Sequence, residues 1–166
     1  MLRYITIIAL ALIAVTTGFE AYSQTNDAFE SGYGALEVFD GSGMSSMPLW
    51  VKLWLGVLVL TFASSLIFVR NHLTAQLAIA GFVLSIIATS VIFRALGLPF
   101  LSGSISIGHI VFWSPALFLL LLRRPFLDAS KGQLYRIWSG MMTAVILFSF
   151  VFDIDYAVSY IMHLSA

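Results

Sequence analysis

Arg94, His109, Asp153, Asp155 and His163 are the residues best placed to do chemistry in this chain. Each sits at the edge of a long apolar run. Arg94 closes one run, His109 opens the next, Asp153 and Asp155 close the last, and His163 follows them. Lys52 opens another. If the runs cross a membrane in turn, all of these groups fall near one plane. Ionisable groups at that depth are costly unless paired, hydrated or snorkelling. Arg94 is therefore expected to face Asp153 or Asp155. The plain reading is a structural ion pair or interfacial snorkelling. The sharper one is a small polar site at the mouth of a bundle, with His109 working beside Asp153 or Asp155 in acid–base chemistry or ligation.

Spacing limits the chemistry further. Asp155 and His163 lie about 12 Å apart along a straight helix, so they cannot share one ion. A metal would need His109 and a carboxylate from elsewhere. His109 and His163 could in principle be the axial pair of a haem. But His163 lies beyond the apolar span, and His72 is at the opposite face. No metal, haem or other cofactor is expected. The chain has no cysteine, which removes thiolate catalysis, disulfides and Cys-ligated metals. It has no Gly-rich phosphate loop, no HExxH and no GxSxG, and its apolar cores hold no charge at mid-depth.

The elements that would position these groups follow from composition. Of 166 residues, 60% are hydrophobic and 10% charged. Soluble domains run at roughly 45–50% and 25%. So few charges cannot cover a soluble surface, and there is no basic face for nucleic acid. An ordinary soluble enzyme, a disordered chain and a nucleic-acid module are excluded. What remains is an all-α, polytopic transmembrane helix bundle whose main partner is the lipid bilayer.

Five apolar runs appear, at 4–19, 49–69, 73–93, 105–122 and 137–152. A spanning helix needs about 20 apolar residues, and in lipid it must satisfy its own backbone. Four core helices are expected, over about 49–70, 73–95, 105–122 and 134–153. The first run is ambiguous. Arg3, the apolar residues after it, and Ala21-Tyr22-Ser23 before Gln24 resemble a signal peptide. The alternative is a short, uncleaved first helix. Residues 1–23 are thus a signal peptide or a fifth span.

Arg3, Arg70, Arg123, Arg124, Lys131 and Arg136 fall on one side, and only Lys52 and Arg94 on the other. The basic side should be cytoplasmic, in a multi-pass plasma (inner) membrane protein. Residues 20–48 and the C-terminus would then be extracytoplasmic. The inner cluster of Arg70, Arg123, Arg124, Lys131 and Arg136 would attract anionic headgroups. Residues 24–48 form an acidic loop, and the five acids of 20–48 are Glu20, Asp27, Glu30, Glu37 and Asp40. Its glycines and serines favour a solvated connector, with one amphipathic turn at Phe29, Tyr33 and Leu36 as an option. Trp50, Trp54, Trp113 and Trp138 lie near the expected boundaries, as interfacial belts do.

Small residues recur at Gly81, Ser85 and Thr89, and again at Gly140 and Ala144. They allow close helix approach, within one bundle first and in a homo-oligomer second. Pro115 should kink its helix, and Ser114 could satisfy the freed carbonyl. After Asp153, Ile154, Ala157, Val158, Ile161 and Leu164 share one face, and Asp155, Ser159 and His163 another. An amphipathic extension is expected there. The uncharged connector 95–108 could be re-entrant, pressed on the interface, or the start of a longer fourth helix.

The function this pattern favours is a non-enzymatic accessory, assembly or interaction subunit, partnered by another membrane protein or by itself. One alternative is a small channel or carrier using 95–108. The other is a membrane enzyme or cofactor-binding protein using His109 with Asp153 or Asp155. A water-filled space lined by Ser102, Ser104 and Arg94 would favour the channel. Convergence of His109 and a carboxylate would favour the enzyme or binding protein. A packed, dry bundle would favour the accessory subunit.

Overall fold

The computed structural model describes residues 29–166. The first apolar run, Arg3, Glu20 and Asp27 lie outside the described residues. So does the choice between a signal peptide and a first helix.

Five α-helices follow one another: α1 (Gly41–Ser46), α2 (Leu49–Ser64), α3 (Leu73–Ala95), α4 (Ser102–Arg123) and α5 (Gln133–Ser165). A 3₁₀ turn over Ser65–Ile67 extends α2. The four long helices are apolar enough to cross a membrane, α2 counting with its turn as Leu49–Ile67. The chain is a multi-pass membrane protein with four candidate spans. The bundle has two distinct ends. Residues 29–48, the start of α4 and the last turns of α5 gather at one, the loop end. Arg70, Arg123, Arg124, Lys131 and Arg136 mark the other, the basic end.

Turn chemistry sets the boundaries. At the end of α3 the Gly97 amide bonds the Arg94 carbonyl at 3.1 Å, and the Leu98 amide bonds the Phe93 carbonyl at 2.9 Å. Gly97 has φ +66°, the left-handed conformation this helix stop requires. Leu98 packs into the same apolar cluster as Phe93, and Pro99 prevents the helix from resuming. At the far end of α4, Arg124 takes φ +44° and its amide bonds the Leu120 carbonyl at 2.9 Å.

Helix α4 packs between α3 and α5 along most of its length, while α2 leans mainly on α5. The α3–α4 seam is close because its residues are small. A Cβ on Gly81 would lie 2.3 Å from the Phe112 carbonyl oxygen, and one on Gly108 2.1 Å from Thr89 Oγ1. The stripe of Gly81, Ser85 and Thr89 thus packs inside this bundle. The second stripe does not do the same: Gly140 has only Phe126 near it, and Ala144 is exposed. Below the seam, Phe62 lies between Phe82 and Trp113, with ring centroids 5.0 and 4.7 Å away.

Of the alternatives for 95–108, the longer fourth helix forms, because α4 begins at Ser102. Two expectations change. Helix α4 continues through Pro115, and Ser114 Oγ donates to the Ile110 carbonyl. That is one residue before Val111, whose carbonyl Pro115 leaves without an amide. The extension after Asp153 is helical, but its buried face is Asp153, Ala157 and Tyr160. Ile154, Val158 and Ile161 point outward, roughly half exposed. With 33 residues, α5 is about 50 Å long against a hydrocarbon core of about 30 Å.

A candidate ligand cavity built on His109 and Asp153

Two stripes face each other at the loop end. On α4, Ser102, Ser106, His109 and Trp113 recur at helical spacing; on α5, Ser149, Asp153, Tyr156 and Tyr160 do so. All are buried or half-buried. His109 Nδ1 and Asp153 Oδ1 are 3.0 Å apart. An ionised carboxylate can only accept, so against one Nδ1–H donates; a neutral ring then keeps a lone pair at Nε2, and a protonated ring carries a second N–H there. The imidazole stacks on the Trp113 ring, with centroids 4.0 Å apart and planes 19° from parallel. Trp113 is itself fixed by its Nε1–H donating to Ser85 Oγ at 3.2 Å. Asp153 is 7% exposed. Its other oxygen, Oδ2, is buried and has no hydrogen-bond partner among the described residues, and the same holds for Ser149 Oγ.

A cavity of about 360 Å³ opens beside this pair. Helix α2 supplies Trp50, Trp54 and Leu58, α4 supplies Ser106 and His109, and α5 supplies Ser149, Phe152, Asp153 and Tyr156. The backbone of α2 comes nearer to α5 than to α4, and its Phe62 ring reaches across to Trp113 of α4. The ring of Trp54 meets Phe148 edge-on, with centroids 4.5 Å apart.

The acidic loop forms the roof. It was expected as a solvated connector, but residues 29–48 are folded. The Gly32 amide bonds the Val38 carbonyl at 3.0 Å, and the Val38 amide bonds the Glu30 carbonyl at 2.9 Å. The loop then caps α4. The Ser102 amide donates to the Glu37 carbonyl at 3.0 Å and the Gly103 amide to the Ala35 carbonyl at 2.8 Å. These satisfy amides that every helix start leaves open. Gly103 is required here, since a Cβ would lie 2.6 Å from Tyr160 Cβ and 2.9 Å from the Ala35 oxygen. Tyr160 O–H ties α5 to the α3–α4 connector by donating to the Pro99 carbonyl at 2.6 Å. Asp40 caps α1 through the Gly43 amide at 2.8 Å and also accepts from Ser31 Oγ at 2.7 Å. Those two bonds hold its carboxyl below the usual carboxylate range. Tyr33, Phe39 and Met47 of this roof face the cavity.

Comparisons with family models, with curated proteins and with solved structures found no match.

Of the five expected rim residues, the structure brings two together, His109 and Asp153. Asp153 is held by His109, where Arg94 was the expected partner. Arg94 lies exposed in the last turn of α3, which contributes nothing to the cavity lining. Asp155 is exposed, and His163 packs edge-on to Phe29, with centroids 5.9 Å apart. His109 and His163 therefore do not share a site. Among the described residues no three His, Asp or Glu side chains gather as metal ligands would. Ser106, Ser149 and Tyr156 were missed from the sequence. Their signal is the helical spacing of Ser149 and Tyr156 from Asp153, and of Ser106 from Ser102.

At the basic end, Arg123 and Lys131 flank a cleft of about 340 Å³ with His72, Asp128 and Tyr135. Lys131 and Arg136 share a second with Phe126. Arg70 and Arg124 are exposed, and Arg124 Nε donates to the Leu121 carbonyl at 3.2 Å. His72 stacks on Tyr135, with centroids 3.5 Å apart, and Tyr135 Oη lies 2.6 Å from Thr74 Oγ1. Burial, and secondly the charge of Lys131, keep the His72 imidazole below its ordinary pKa.

Proposed function

We propose that this chain binds a small amphiphilic molecule in the loop-end cavity, with His109 and Asp153 as its polar anchor. One observation carries the reading: a carboxylate with an unpartnered, solvent-shielded oxygen lines an otherwise largely apolar cavity. A buried polar atom without a partner is costly, and such sites persist where a ligand supplies the missing contact. The volume, about 360 Å³, falls within the range of ligand pockets, roughly 300–1,000 Å³. The convergence of an imidazole and a carboxylate separates this reading from an accessory subunit with a dry bundle. Ser104, which a channel at 95–108 would expose to water, is fully buried and donates to the Leu101 carbonyl at 2.6 Å. A second reading, proton abstraction from the bound molecule, draws on the Nε2 lone pair that a neutral His109 keeps when its Nδ1–H donates to Asp153. The charge distribution supports a plasma-membrane orientation with the loop end outside and the basic end on anionic lipid.

The test is binding of a neutral aromatic probe, neopentylbenzene, and a charged one, benzyltrimethylammonium, by calorimetry in mild detergent. At least one should bind saturably with one site per chain. Ser149→Leu, which fills the cavity, should abolish that binding while the protein still melts cooperatively. Binding of neither probe, or equal binding to Ser149→Leu, would remove the reading.

A further inference from the structure

The lining of the cavity is one-sided in charge and rich in rings. Six aromatic side chains border it: Tyr33, Phe39, Trp50, Trp54, Phe152 and Tyr156. Among the described residues no lysine or arginine does. Lys52, the nearest cation in sequence, donates from Nζ to the Ser45 carbonyl at 2.9 Å. At the anchor, Asp153 Oδ2 and Ser149 Oγ have no partner among the described residues; the carboxylate oxygen accepts, and the hydroxyl can accept as well as donate. The end of the bundle around them is acidic as well: Glu30, Glu37, Asp40, Asp153 and Asp155 stand against Lys52 and Arg94.

We propose that the occupant is an organic cation, an ammonium group carried on an apolar body. The inference rests on the cavity reading above and names its ligand class. Aromatic faces present negative quadrupole potential, and rings around a site attract an ammonium group most strongly where water is excluded. The Asp153 carboxylate supplies the opposite charge, and in a low-dielectric setting its field reaches the whole cavity. With His109 neutral, a neutral amphiphile would leave that carboxylate without a counter-charge. An anion would meet a carboxylate with no cation to offset it. A bare metal ion would find rings where it needs oxygens. The ammonium group can belong to a free lipophilic amine or to the choline or ethanolamine headgroup of a phospholipid.

The experiment compares three ligands of one shape: benzyltrimethylammonium, its uncharged carbon analogue neopentylbenzene, and phenylmethanesulfonate. The quaternary nitrogen keeps its charge at every pH, so titration of the protein cannot alter the ligand. The cation should bind at least about tenfold tighter than the neutral analogue, and the sulfonate should not bind. Asp153→Asn should bring the ratio of cation to neutral affinity to within about twofold of one. Trp50→Leu, at a more exposed position, should lower the same ratio several-fold, and it serves if the Asp153 variant does not fold. Equal affinity for cation and neutral analogue would overturn the inference while leaving the cavity reading intact. Loss of both would overturn both. Displacement of the bound cation by dihexanoylphosphatidylcholine, but not by dihexanoylphosphatidylglycerol, would assign the group to a lipid headgroup. Displacement by neither would assign it to a free amine. A preference for the sulfonate would overturn the inference outright.

Discussion

At the scale of single residues, the site turns on Asp153. Among the described residues its carboxylate bonds to His109 over 3.0 Å, and Oδ2 meets no donor. Removing the imidazole strands the carboxylate. A hydrogen bond to a charged group contributes about 1.5–3 kcal/mol, and removing one partner of a buried pair costs more than removing both. His109 keeps 22% of its side chain exposed, so water tempers the loss. His109→Ala should therefore destabilise the bundle by about 2 kcal/mol, and Asp153→Leu added to it should restore most of that. Thermal melting in one detergent measures both; a double variant no more stable than the single one would refute the account. The sequence placed Arg94, His109 and Asp153 in one plane but could not say which pair would meet. That depends on the rotation of each helix about its own axis. Gly108 against Thr89 and Gly103 against Tyr160 turn the His109 face of α4 toward α5, and neither contact is visible in the local pattern. Ser149 and Tyr156 escaped notice because a lone hydroxyl in an apolar helix ordinarily bonds its own backbone.

At the scale of elements, the α3–α4 seam is the tightest helix contact and sets how firmly α4 presents His109. A Cβ on Gly81 would press on a backbone oxygen at 2.3 Å, and one on Gly108 on the Ser85 oxygen at 2.6 Å. Backbone cannot step aside as a flexible side chain does, so the helices must separate. Overpacking of this kind costs about 1–3 kcal/mol. Gly81→Ala and Gly108→Ala should each lower the melting temperature accordingly. Gly140→Ala, whose Cβ would meet only Phe126 at 3.6 Å, should be neutral or gain about 0.5–1 kcal/mol from helix propensity. Equal effects at all three positions would show that the seam is not the constraint. The same contrast marks what spacing can and cannot reveal. Both small-residue stripes were legible, but a stripe becomes a seam only where a partner helix arrives. The bounds of α3 were readable because His72, Gly97 and Pro99 punctuate them. The start of α4 was not, since Ser102, Gly103 and Ser104 are weak helix formers that become helical under carbonyls from a loop more than 60 residues earlier.

At the scale of the whole molecule, the four spans were legible because length and apolarity decide them, whereas the cavity was not. It is a space bordered jointly by α2, α4, α5 and the roof, and nothing along α2 alone specifies that. The folded roof was equally hidden, since its order comes from bonds to Ser102 and Gly103. Which side of the membrane the roof faces determines where a ligand enters. Arg70, Arg123, Arg124, Lys131 and Arg136 at one end, against Lys52 and Arg94 at the other, favour a cytoplasmic basic end. A tag after Gly43 would be a poor reporter, because a Cβ there already meets the Gly32 oxygen at 2.3 Å and an insertion would open the roof. The 166 residues hold no cysteine, which gives a cleaner route. Ala129 and Ala166 are both exposed and lie at opposite ends of α5. A membrane-impermeant maleimide applied to intact cells should label Ala166→Cys at once and Ala129→Cys only after permeabilisation. The reverse pattern would turn the molecule over and place the entrance of the cavity in the cytosol, where a ligand must come from metabolism instead of the surroundings.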